Sequence, residues 1–132
     1  MSGIMVLPRK ENILKIKSEK FGSRIAKMYL YLTSVKNETV MSKQIYRSGT
    51  SIGANIAESI NAESNYDFIH KLSIALKEAN ETEYWLTNLH ESGFINDKEF
   101  NSINSDNEEL IKILVKSIKT KKERMGIDDT KR

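Results

Sequence analysis

Phe21, Ile25, Met28, Leu32 and Val35 are separated by alternating steps of four and three residues. That spacing lays an apolar seam along one side of a helix and points to a bundle. The pattern recurs as Ile45, Gly49, Ile52, Ile56 and Ile60, as Phe68, Leu72, Ala75, Ala79, Leu86 and Leu89, and as Phe100, Ile103, Leu110, Leu114 and Ile118. Punctuation between the seams sets the ends. Ser18 is placed to cap a first helix reaching about Asn37, and Ser42 a second reaching about Asn61. Ser64 with Asp67 resembles a capping box for a third helix that stops before Gly93. Asn96 with Glu99 opens a fourth that frays into Lys119–Arg124. The expectation is an all-α, antiparallel up-down-up-down four-helix bundle in one domain over residues 1–132. An extended arm of about residues 1–17 would precede it, and a frayed basic tail of about 120–132 would follow.

Composition agrees. One proline and six glycines leave little material for the turns of an all-β fold. With no cysteine, disulfides, thiolate metal sites and cysteine nucleophiles are excluded. No apolar run is long enough for a membrane span or a signal-peptide core, so a soluble, cytoplasmic protein without membrane contact is expected. The net charge of +3 is unevenly spread. Residues 1–66 carry +5, residues 67–109 carry −7 and residues 110–132 carry +5. Such blocks either serve solubility and helix ends or orient partners: copies of the chain, or an anionic polymer.

Two features exceed the needs of a simple bundle. Gly49, Gly53 and Ala57 recur every fourth residue, and glycine inside a helix costs about 1 kcal/mol relative to alanine. Close approach of another helix, at Ala75 and Ala79 of the third, is the expected reason. The third helix also has a wide apolar surface, with Ile69 and Leu76 on one flank of its stripe and Ile74 and Trp85 on the other. The arc spans roughly 220°, against the roughly 100° that a surface helix needs. Burial at the centre of the bundle would account for it, but is hard to satisfy with three partner helices. Self-association is the favoured expectation, with Trp85 the best interface anchor.

Catalytic chemistry is sparse. A carboxylate-bridged di-metal site needs two Glu-x-x-His motifs, whereas Asp67-Phe-Ile-His70 stands alone and His90 has Thr87, not an acid, three residues earlier. No Gly-x-Ser-x-Gly elbow, phosphate-binding loop or dinucleotide fingerprint occurs. Glu78 with Glu81, and Glu108 with Glu109, read as structural or solvated charges. The chain reads as a non-enzyme with no metal, no cofactor and no small-molecule substrate.

Polar residues carry what remains. Ser48, Ser51, Asn55 and Glu58 follow one another beside the second seam. Arg47, Glu78 and Glu81 are expected to join them in a network across a helix or subunit interface, in preference to a ligand site. Lys17, Lys20, Arg24 and Lys27 form a basic stripe on the first helix, and Lys112, Lys116 and Lys119 another on the fourth. Such stripes either form a solvated face or contact RNA phosphates. Repeated around a ring, weak phosphate contacts would act multivalently.

The runs Gln44-Ile-Tyr-Arg-Ser-Gly-Thr-Ser-Ile-Gly-Ala-Asn-Ile-Ala-Glu58 and Asp67-Phe-Ile-His-Lys-Leu-Ser-Ile-Ala-Leu-Lys-Glu-Ala-Asn-Glu-Thr-Glu-Tyr-Trp-Leu86 resemble the 23S rRNA intervening sequence proteins. These four-helix-bundle proteins were first noticed as products of intervening sequences in the large-subunit ribosomal RNA gene and are often labelled ribosomal proteins. The resemblance covers about residues 13–122, and Ser59 departs from the glycine expected after the Ala-Glu pair. It implies a homopentameric ring and kinship with the accessory protein of diversity-generating retroelements, a similar pentamer that binds nucleic acid and a reverse transcriptase. Two functions are therefore carried forward. One is binding of structured RNA through Lys17, Lys20, Arg24 and Lys27, with Arg47, Ser51, Asn55, Glu58, Glu78, Glu81 and Trp85 organising the assembly. The other is a protein–protein scaffold with no nucleic-acid role.

Overall fold

The computed structural model describes residues 9–127, with side chains from Ile13 onward. It has four helices: α1 Arg9–Ser34, α2 Met41–Ile60, α3 Asn65–Glu91 and α4 Asp97–Arg124. Loops of four to six residues join them. α1 packs on α2 and α4, and α3 packs on the same two, with no contact across either diagonal among the described residues. This is the antiparallel, up-down-up-down all-α bundle. The α1–α4 seam is the most sparsely packed of the four.

α1 starts nine residues before the expected Ser18 cap, so residues 9–17 are helix rather than extended arm; residues 1–8 lie outside the described chain. The apolar seam simply continues backward through Leu14, which is fully buried. Ser18 occupies a seam position, is buried, and donates its hydroxyl to the Lys15 carbonyl at 3.1 Å. Its smallness has a reason across the seam. A Cβ on Gly53 would sit 3.4 Å from the Ser18 carbonyl oxygen, and one on Gly49 only 2.8 Å from Ile25 Cγ1. The helix that approaches these glycines is therefore α1, not α3 as expected. Ala75 and Ala79 are fully buried, and beside Ala79 it is α4 that comes close. Asn107 Nδ2 donates to the Ala79 carbonyl at 2.9 Å.

The helix ends follow from local hydrogen bonding. Val35, expected in the first seam, lies beyond the end of α1 and is 62% exposed. Asn37 then adopts φ +54°, and Glu38 N–H returns to the Leu32 carbonyl at 2.8 Å. Ser42 does not cap α2; it is buried within it. The cap is Glu38, whose carboxylate accepts from the N–H groups of Val40, Met41 and Ser42 at 3.1, 3.0 and 2.7 Å. Three orphan donors and the positive helix end are met by one buried side chain.

The expected caps of α3 and α4 are present. Ser64 accepts from Asp67 N–H at 3.0 Å, and Asn96 and Glu99 form a reciprocal capping box. Gly93, at φ +81°, closes α3. α4 does not fray, because Gly126 at φ +74° ends it in a Schellman turn, with Ile127 N–H on the Lys122 carbonyl at 2.9 Å. Met125 and Ile127 pack on the core and hold that end down. Only residues 128–132 of the expected tail lie outside the described chain.

Candidate functional site

The expected functional residues fall on two opposite faces, one formed by α2 with α3 and the other by α1 with α4.

On the α2–α3 face, the Arg47 guanidinium bonds the Glu78 carboxylate at 3.2 Å and also pairs with Glu81. Trp85 Nε1 donates to Glu81 Oε2 at 3.4 Å. Arg47, Glu78, Glu81 and Trp85 are thus joined, within one chain. The rest of the expected network does not join them within the chain. Glu58 pairs with Lys71 at 3.4 Å, about three turns along α2 from Arg47. Ser51 donates to the Arg47 carbonyl at 2.6 Å and Asn55 to the Ser51 carbonyl at 2.9 Å, both satisfied by their own helix. Beneath this surface the fully buried hydroxyls of Ser48 and Thr82 lie 2.9 Å apart and link the two helices through the core. Ile74 and Trp85 are half-buried on the outer edge.

On the α1–α4 face the expected basic stripe divides. Lys17 pairs with Glu109 at 2.5 Å. Arg24 pairs with Asp106 at 2.6 Å and also donates to Ser102 Oγ at 2.9 Å. These two cations tie the sparse seam together, and in doing so they neutralise Glu109 and Asp106. Lys20 and Lys27 are exposed and have no carboxylate partner among the described residues. The same holds for Lys112, Lys116 and Lys119 on α4. Two grooves follow the seam. One of about 260 Å³ is lined by Ile13, Lys112, Ile113, Lys116 and Ser117. The other, of about 390 Å³, is lined by Arg24, Lys27, Met28, Tyr31, Ile95, Glu99 and Ile103.

The histidines stand apart from one another. His90 Nε2 meets Asp97 Oδ1 at 2.6 Å and its ring stacks on Phe100 with centroids 4.5 Å apart, while His70 is exposed. Among the described residues no group of three or more His, Cys, Asp or Glu is placed to hold a metal ion. None of the described helices is long and apolar enough to cross a membrane.

The Glu38 carboxyl is held below its ordinary titration range. Burial pushes it up, but the backbone N–H bonds from Ser42, Met41 and Val40 outweigh burial and hold it below the ordinary glutamate value. Its role is structural.

The profile of the family described as 23S rRNA-intervening sequence protein matches residues 10–116, which take in α2, α3 and most of α1 and α4. The chain belongs to that family. Its fold is also that of a solved relative, a protein with unknown function from the S23 ribosomal protein family of Bacteroides thetaiotaomicron. The two are 54% identical, with a TM-score of 0.83 over 83% of this chain and 98% of the other. Comparison with curated proteins gives no match. For this member of the 23S rRNA-intervening sequence family, sequence reasoning missed Glu38, the Schellman stop at Gly126 and the groove beside Tyr31. Glycine after an amphipathic run was a readable signal for the second of these. The groove had none, because three separate segments build it.

Proposed function

We propose that this chain is a non-catalytic, cytoplasmic RNA-binding protein that acts as a homo-oligomer, a pentameric ring by family resemblance, with the RNA on its α1–α4 face. The observation that carries this reading is the division of charge along that face. Glu109 and Asp106 are occupied by Lys17 and Arg24, while Lys20, Lys27, Lys112 and Lys116 are exposed or half-exposed and have no carboxylate partner among the described residues. Net positive potential on an open face favours a polyanion. The role first expected of the stripe is thereby narrowed: Lys20 and Lys27 contact phosphates, whereas Lys17 and Arg24 hold the seam. Self-association is assigned to the α2–α3 face, where half-buried Ile74 and Trp85 flank the Arg47–Glu81 pair. Repetition of a weak cationic face around a ring would make its binding multivalent.

The test is RNA binding by purified protein across a salt series, with mass followed by light scattering. Four phosphate contacts per subunit predict a log–log salt slope of about −3 per subunit for single strands. An intact oligomer that binds no RNA even at low salt would leave the second reading, a protein scaffold. That reading is favoured by exposed apolar side chains elsewhere, notably Leu30, Val40 and Tyr66.

A further inference from the structure

Resting on the RNA-binding reading, and naming what part of an RNA that face would take, we propose that the groove between α1, the α3–α4 loop and the start of α4 holds one unstacked nucleobase of single-stranded RNA. The structure favours bases that carry an exocyclic amine, namely adenine, cytosine and guanine, over uracil.

The groove has a volume of about 390 Å³, within the range of small-molecule sites. Met28, Ile95 and Ile103 give it an apolar floor, and the exposed ring of Tyr31 gives it an aromatic wall. Single-stranded recognition combines these parts: an aromatic face on which a base stacks and cations that follow the backbone on either side. The cations are in place. Lys27 lines the groove without a carboxylate partner among the described residues, Lys20 precedes it by two turns on the same edge of α1, and Lys36 Nζ lies over the Tyr31 ring, 5.9 Å from its centroid. Arg24 cannot act as a free phosphate ligand, because Asp106 and Ser102 hold it.

The one carboxylate in the groove gives the preference for amine-bearing bases. Glu99 Oε1 accepts from Asn96 N–H at 2.9 Å as part of the capping box. Its Oε2 has no protein donor among the described residues. An ionised carboxylate only accepts hydrogen bonds. The amino groups of adenine, cytosine and guanine each offer two N–H donors to it. Uracil has no amino group and offers only its ring N3–H, flanked by two carbonyl oxygens that repel a carboxylate.

The test uses the full chain with the oligomers rC10, rA10 and rU10 at fixed low salt, read by fluorescence anisotropy and by methyl NMR of Ile95 and Ile103. The expected result is that rC10 and rA10 bind about tenfold more tightly than rU10 and shift both methyl signals. Tyr31→Ala should weaken rC10 binding about tenfold. Glu99→Gln keeps a capping-box side chain and adds a donor, so it should reduce the preference for rC10 over rU10 while leaving the helix intact. Equal binding of all three oligomers, unmoved by either variant and with unshifted methyls, would overturn the groove assignment and leave RNA binding standing. No binding of any oligomer would overturn the RNA-binding reading itself, and this assignment with it.

Discussion

The two seams that α2–α3 and α1–α4 make across the bundle are built from different materials. The α2–α3 seam is tightly packed and closed from inside, with Ser48 and Thr82 joined in the core and the Arg47–Glu78–Glu81 cluster laid over them. The α1–α4 seam is sparse and closed from outside, by two solvent-accessible ion pairs and with grooves left beside them. Buried contacts resist water and salt, whereas exposed pairs are screened and worth little. The first seam therefore carries stability, and the second has room to carry a ligand.

The largest effect should come from the packed core. Leu86 is fully buried, and Leu86→Ala should cost about 2–5 kcal/mol in urea unfolding. A loss below about 1 kcal/mol would mean that the packing is looser than described. Next comes the buried hydroxyl pair. Thr82→Val strips Ser48 of its partner across the seam and should cost about 1–3 kcal/mol. Adding Ser48→Ala should restore part of that loss, and strict additivity of the two would deny the coupling.

Glu38 gives a pH-dependent effect. Because its folded pKa is depressed, the stabilisation it provides is present above the ordinary glutamate value and is lost as pH falls through the folded value. Glu38→Ala should therefore cost about 1–2 kcal/mol at neutral pH, with the gap from the unaltered protein closing under acid. Urea melts at stepped pH would reveal it, and a gap that stays constant into acid would remove Glu38 as an ionised cap. The smallest effect belongs to the outer seam. Arg24→Met should cost about 0.5 kcal/mol or less, since the pair with Asp106 is about half exposed. A loss as large as that at Thr82 would erase the distinction between the seams.

Much of this division was legible in the sequence, and the exceptions have physical causes. Apolar spacing gives the four helices, and the signals at Ser64, Gly93 and Asn96–Glu99 mark real ends because each acts within a few residues. Ser18 misled for the opposite reason. A serine beside a seam looks like a cap, yet here it is a small core residue required by the approach of Gly53. The glycines announced close contact but could not name the neighbour, since α1 and α3 both flank α2. Likewise, nothing local joins Arg24 to Asp106, 82 residues away. The stripe was visible in the sequence, but which of its cations were already engaged was not.

The most direct measurement is RNA binding by the double variant Lys20→Glu with Lys27→Glu at low salt, with mass followed by light scattering in the same samples. Both residues are exposed and have no carboxylate partner among the described residues, so the helical bundle and its mass should be unchanged while RNA affinity falls by well over tenfold. Unchanged affinity, or dissociation of the assembly with RNA binding retained, would contradict the assignment of the α1–α4 face.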